Sequence, residues 1–107
     1  MGVSKTSLFS RNQNKIASIA KVLGHPARIA ILQHLIEKNI CICGDLVEEI
    51  GLAQSTISQH LKELKLAGII KGNIEGSSVC YCIDQEKWLD IKNTLNQIFE
   101  WKSSSCC

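Results

Sequence analysis

A mainly helical domain with one small β-hairpin is the fold this 107-residue sequence predicts, on three observations. Aliphatic residues recur at helical spacing near both ends. A pair of short helical patterns, separated by a glycine, occupies the centre. Two β-prone runs follow, joined by Glu75-Gly76-Ser77-Ser78. The length suits one domain and leaves no room for a second sizeable core. A chain of this size buries roughly 65% of its unfolded surface, enough to fold by itself. Hydrophobic residues make up 45% and charged residues 21%, a balance that argues against disorder. Only 5% are aromatic, so the core has to be aliphatic.

Ile16, Ile19, Ala20 and Leu23 stand at i, i+3, i+4 and i+7, predicting a helix over about 10–23 that stops at Gly24. Pro26 suits the first turn of a second helix, which Ile29, Leu32, Leu35 and Ile36 carry to Asn39. Ile40-Cys41-Ile42-Cys43 alternates like a short strand and sets both sulfurs on one side. Gly44–Ile50 contributes Leu46, Val47 and Ile50 to a third helix, and Gly51-Leu52-Ala53 breaks it. A fourth helix over about 54–67 puts Ile57, Leu61 and Leu64 on one face. Gly68 before Ile69 has the form of a left-handed cap with its hydrophobic contact. Ile69–Ile74 and Val79–Ile83 are the strands of a hairpin spanning 69–83. Asp84 is placed to cap a last helix, about 85–102, on which Trp88, Ile91, Leu95, Ile98 and Phe99 share a face. A serine-rich tail, 103–107, ends in Cys106 and Cys107. This order is that of a winged helix-turn-helix with an extra helix at each end, a single domain over 1–107.

Net charge is only +2, but it is unevenly spread. Residues 1–36 hold Lys5, Arg11, Lys15, Lys21 and Arg28 and no acidic residue. A basic first third permits an anionic partner. No apolar run approaches the length of a membrane span, and Met1-Gly2-Val3-Ser4-Lys5 lacks the apolar stretch of a secretory signal. The expected location is the cytoplasm, with no membrane partner. No Ser/His/Asp triad, paired-carboxylate arrangement or phosphate-cradling glycine loop is present, so an enzyme is not expected. Six cysteines fall in three pairs: Cys41/Cys43, Cys80/Cys82 and Cys106/Cys107. In a reducing cytosol such pairs point to metal binding or redox chemistry rather than structural disulfides.

Off the apolar stripe of the fourth helix lie Gln54, Ser55, Thr56, Ser58, Gln59 and His60. Short polar side chains at a helix start can enter a major groove, where Gln bonds adenine at two atoms and Ser or Thr meets bases or phosphates. The same pattern suits an amphipathic helix whose Ser/Thr-rich start only caps it. The hairpin and the basic first third favour double-stranded operator DNA, with Lys62 and Arg11 on backbone phosphates.

Three segments together resemble the ArsR/SmtB family of repressors. Leu23-Gly24-His25-Pro26-Ala27-Arg28-Ile29-Ala30-Ile31-Leu32 is similar to the family's second-helix signature. Gln54-Ser55-Thr56-Ile57-Ser58-Gln59-His60-Leu61-Lys62 resembles its recognition helix. Cys41-Ile42-Cys43 before Asp45-Leu46 is similar to the Cys-x-Cys box of its arsenic and cadmium sensors. The resemblance runs from about Ile16 to Ile83. It implies a homodimer, paired through the terminal helices, that blocks a promoter and releases DNA when a thiophilic ion binds. Two features depart from the family pattern: Gly44 stands between the box and Asp45, and the wing segment Asn73–Ser78 carries only Glu75 as a charge.

Thiolates select soft ions, so Cys41 and Cys43 are the expected metal ligands, the alternative being two small hydrophobes on a half-buried strand. Two sulfurs leave an ion under-coordinated. The tail resembles the paired C-terminal cysteines of some arsenic sensors, a resemblance that makes Cys106 or Cys107, of the same or the partner subunit, a candidate third sulfur; the alternative is an inert tail that only oxidises. Cys80 and Cys82 are expected to pack in the core, and His25 and His34 to be structural. The effector implied is As(III) or Sb(III), with Cd(II) as an alternative and no organic cofactor. The last helix lacks the Asp/His combination of the family's zinc sensors. Two other readings stay open: a thiol redox or persulfide-sensing repressor of the same fold, and a dimeric interaction module that has lost DNA binding. A thiol-disulfide enzyme using Cys41/Cys43 is disfavoured, because no thioredoxin-like βαβ pattern surrounds them.

Overall fold

The computed structural model describes residues 6–38, 42–43, 46–75 and 78–102, and around Cys43 and the wing tip it describes the backbone alone. After a 3-10 turn at Thr6–Leu8 come α1 (Arg11–Leu23), α2 (Pro26–Lys38), β1 (Ile42–Cys43), α3 (Leu46–Ile50) and α4 (Gln54–Leu66). They are followed by β2 (Ile70–Glu75), β3 (Ser78–Ile83) and α5 (Gln85–Phe99). The element order is the expected one. The last helix stops at Phe99, three residues short of the predicted end.

Local chemistry explains the boundaries. Ser10 Oγ accepts from the Gln13 N–H at 3.0 Å while the Ser10 N–H donates to Gln13 Oε1 at 2.9 Å, a reciprocal cap that starts α1. Asp84 Oδ1 accepts from the Lys87 N–H at 3.1 Å and starts α5. At the end of α4 the Ile69 N–H donates to the Leu64 carbonyl at 3.1 Å and the Gly68 N–H to the Lys65 carbonyl at 3.0 Å. That double bond is a Schellman motif, and it needs Gly68 at φ +78°.

The three strands form one antiparallel sheet in the order β1-β3-β2. Ile70 faces Ile83 and Glu75 faces Ser78 in the wing hairpin. On the other side of β3, Ile42 faces Tyr81 and Cys43 faces Cys80. The short strand is thus joined to the wing, a pairing that its own residues do not announce.

The core is aliphatic, as expected. Ile31, Leu32 and Leu35 of α2 meet Ile57, Leu61 and Leu64 of α4, and Leu46, Ile69 and Ile70 complete the centre. Burying each such side chain contributes roughly 1.5–3 kcal/mol. Ile19 of α1 and Ile91 of α5 are also in this core, so one chain covers more of its terminal helices than the sequence suggested. The two helices lie side by side and antiparallel: Asn12 Nδ2 donates to Gln97 Oε1 at 3.3 Å, and Lys15 Nζ pairs with the Asp90 carboxylate at 3.1 Å. Both groups of the ion pair are exposed, so it contributes under about 1 kcal/mol and mainly sets alignment. Near the joined ends of this helix pair, the apolar side chains Leu8, Phe9, Ile98, Phe99 and Trp101 stay exposed. Among the described residues no helix is long and apolar enough to cross a membrane.

Candidate functional site

The turn between α3 and α4 is set by Gly51, whose φ is +82°. Open space surrounds the position where a Cβ would stand, so the backbone conformation alone demands glycine. The turn delivers α4 with its apolar stripe inward. Gln54, Ser55, Thr56, Ser58, Gln59 and Lys62 are all exposed. Ala53 precedes the helix and offers no side-chain cap. Ser55 and Thr56 lie inside the helix and neither is its N-cap. Two contacts hold the long side chains along the axis: Gln54 Nε2 donates to Ser58 Oγ at 3.1 Å, and Gln59 Nε2 to Glu63 Oε1 at 3.3 Å. Arg11 is exposed at the first position of α1.

His60 corrects the expectation placed on it. It is buried, 7% exposed, and turned away from the polar face of α4. Arg28 Nε donates to His60 Nδ1 at 3.2 Å, and Arg28 Nη1 donates to the Val22 carbonyl at 3.2 Å. Guanidinium only donates, so Nδ1 accepts and the imidazole proton belongs on Nε2. The His25 ring lies 4.3 Å away, centre to centre, and His25 Nδ1 also accepts from the Ala27 N–H at 3.2 Å. Burial holds the His60 pKa below the usual 6.5, and the neighbouring His25 and Arg28 push it the same way. The three residues lock the recognition helix to the start of α2. Spacing along α4 hides this role, because His60 neighbours Leu61 and sits at the edge of the apolar stripe. Arg28, counted as a basic residue of the first third, is likewise spent inside the chain.

The cysteines are the second correction. Cys80, 1% exposed on β3, is buried in the core as expected and Cys82 two residues on is half-buried, but both are disulfide-bonded and not free thiols. Cys82 borders an open cleft of about 1000 Å³ shared with Leu35, Ile36, Lys71, Trp88 and Lys92. Of the four expected ligands, Cys43 is placed by its backbone opposite Cys80. Cys41, Cys106 and Cys107 lie outside the described residues, as does the departure at Gly44. Among the described residues no three His, Cys, Asp or Glu side chains gather as metal ligands do.

With this geometry in place, comparison with known proteins is specific. Residues 25–71, from the start of α2 into β2, match the family described as "Bacterial regulatory protein, arsR family". The chain is 30% identical over 91 residues to the biofilm growth-associated repressor of Xylella fastidiosa, covering 85% of this chain and 79% of that one. It is 36% identical over 85 residues to an HTH-type transcriptional regulator of Methanocaldococcus jannaschii, covering 78% and 94%. Among solved structures, the transcriptional repressor BigR of Xylella fastidiosa superposes with a TM-score of 0.65 at 28% identity, covering 91% of this chain and 97% of that one. A homodimeric winged helix-turn-helix DNA-binding domain from Mycobacterium bovis shares the fold with a TM-score of 0.65 at 21% identity, covering 92% and 89%.

Proposed function

Because this chain belongs to the ArsR family of bacterial regulatory proteins, whose members are DNA-binding transcriptional regulators and not enzymes, we propose that it is a homodimeric cytoplasmic repressor that leaves its operator when its cysteines bind a thiophilic ion. The observation that carries the DNA half is the exposed, side-chain-uncapped start of α4. Gln54, Ser55, Thr56, Ser58 and Gln59 face the major groove, and Lys62 and Arg11 bind phosphates. His60 supports the helix from behind and is withdrawn from the contact set.

Cys41 and Cys43 are the ligands proposed for As(III) or Sb(III), or Cd(II), with Cys106 and Cys107 as further sulfurs. Support comes from the chain order: β1 ends at Cys43 and α3 begins at Leu46. Drawing sulfurs around an ion there strains the start of the helix-turn-helix. The effect on DNA is bounded by the ion's preference between two conformations, typically about 1–3 kcal/mol. Gel shifts on the region upstream of the coding sequence test the reading. Wild type binds and arsenite releases it, whereas Cys41→Ser/Cys43→Ser binds and is not released. Removing Cys106 and Cys107 weakens the response if the tail supplies a sulfur. Release that survives the double substitution places the sensor elsewhere. A redox-responsive repressor is the second reading, favoured by the disulfides of Cys80 and Cys82.

A further inference from the structure

Hydrogen bonding leaves the buried ring of His60 one permitted protonation state. Arg28 Nε aims its N–H at His60 Nδ1 from 3.2 Å, so that nitrogen has to keep its lone pair. A proton there sets a donor against a guanidinium that only donates, and places two positive charges side by side. The ring is 7% exposed, so water and salt screen such a pair poorly. His25, just ahead of α2, lies 4.3 Å away ring to ring and, when charged, adds to the same repulsion. From α1 comes the Val22 carbonyl, which accepts from Arg28 Nη1 at 3.2 Å. Along α4, Glu63 stands one turn beyond His60, and its carboxylate accepts from Gln59 at 3.3 Å. Burial, His25 and Arg28 all push the ring towards its neutral form. His60 directly follows Gln59 on α4, whereas Arg28 belongs to the first turn of α2. The hydrogen bond therefore spans the joint that aims the exposed face of α4.

We infer that His60, Arg28 and His25 form an acid-sensitive clasp on α4, which opens when His60 is protonated and releases operator DNA. Such a clasp presupposes the DNA half of the proposed function, since α4 must be the reading helix for its release to matter. The proton goes to His60 Nδ1, the hydrogen bond from Arg28 breaks, and one of the two cations turns out to water. Ile57, Leu61 and Leu64 still pack in the core with Ile31, Leu32 and Leu35, so α4 stays attached to α2. What it loses is the polar tie beside that apolar stripe. The helix then rocks on the stripe, and Gln54, Ser55, Thr56, Ser58 and Gln59 lose their alignment. Net charge alone acts in the opposite sense, because acid adds positive charge and tightens phosphate binding. A weaker complex at lower pH therefore reports the clasp and not the charge of the chain. Linkage is reciprocal, so bound DNA opposes the proton by the same factor.

Two measurements on the full chain test the clasp. Fluorescence anisotropy with DNA from the region upstream of the coding sequence, at constant salt, should show affinity falling about tenfold between pH 7.5 and pH 5.5, within the usual coupling range. His60→Asn keeps an acceptor for Arg28 without a titrating ring, and its affinity should not fall over that interval. Wild-type affinity that stays level or rises with acid overturns the clasp, as does an equal fall in both proteins. Helical content followed by circular dichroism should hold over the same interval; a loss in step with affinity is general unfolding and also overturns it. The second measurement needs no DNA. The Arg28 Nε–H resonance should be protected from exchange at neutral pH and lose that protection as the His60 imidazole titrates, and protection that outlasts the titration overturns the clasp. With upstream DNA bound, the His60 imidazole should titrate about one pH unit lower, the same tenfold. If no upstream DNA binds at any pH, the repressor reading fails, and the clasp stands or falls on the Arg28 resonance.

Discussion

His60 was expected on the outer face of α4 and instead holds that helix against the start of α2. Its pKa is lowered by burial first, then by His25 and Arg28, so the folded chain holds it neutral. The unfolded chain protonates it near pH 6.5. Folding then binds fewer protons than unfolding below that pH. The stability His60 contributes is complete above about pH 6.5 and is lost as pH falls through the lower folded value. Thermal melts should show a fall in Tm between neutral pH and pH 5 that is smaller in His60→Asn, which keeps an acceptor for Arg28 without a titrating ring. An equal fall in both proteins places the pH sensitivity elsewhere. On the opposite face, Gln59 must leave Glu63 before its amide can bond a base in two places. Gln59→Ala should reduce discrimination between operator and altered sites by about 1–3 kcal/mol. Lys62→Ala should weaken operator and random DNA alike and lower the salt slope by about one. Competition gel shifts at two salt concentrations separate the two, and wild-type behaviour in both variants removes the recognition assignment.

At the scale of elements, the turn at Gly51 admits glycine and strains any other residue. A Cβ there meets nothing, so Gly51→Ala adds no clash but forces an L-residue to φ +82°. The expected cost is about 1–2 kcal/mol. Urea denaturation should show a lower midpoint at unchanged slope, and operator affinity should drop further because α4 is re-aimed; unchanged stability contradicts the strain argument. The helices, the glycine turn and the wing were legible because each rests on local signals: apolar period, a first-turn proline, a capping aspartate, a left-handed glycine. The joining of β1 to β3 was not. It depends on register between segments some forty residues apart, which no local pattern encodes. The same limit hid both corrections to the site. The disulfides of Cys80 and Cys82 leave no trace in an alternating strand pattern, and His60 looked exposed because Arg28 approaches it from another helix. Legible side chains were those whose role is set by their own helix.

For the whole molecule, the surface left over after folding argues for a second copy. The pairing of Asn12 with Gln97 sets the start of α1 beside the end of α5, so Leu8, Phe9, Ile98, Phe99 and Trp101 lie at one end of the helix pair. Phe99 and Trp101 are 73% and 76% exposed. Aromatic side chains each bury about 150–250 Å² when covered, and a monomer gains nothing by displaying them to water. Ile19 of α1 and Ile91 of α5 are not part of this patch, because the chain's own core uses them. In the proposed dimer, a twofold axis near the shared end of α1 and α5 would make the patch self-complementary and set two recognition helices to reach half-sites about 34 Å apart. Phe99→Glu/Trp101→Glu is the decisive variant, because neither side chain belongs to the core and the fold should survive. Sedimentation at micromolar concentration should give two chains for wild type and one for the variant, with equal helical content. The variant should then bind one half-site weakly and lose the tight two-site complex. A wild-type monomer without DNA would remove the dimer, and a variant that stays dimeric would move its interface away from this end of the helix pair.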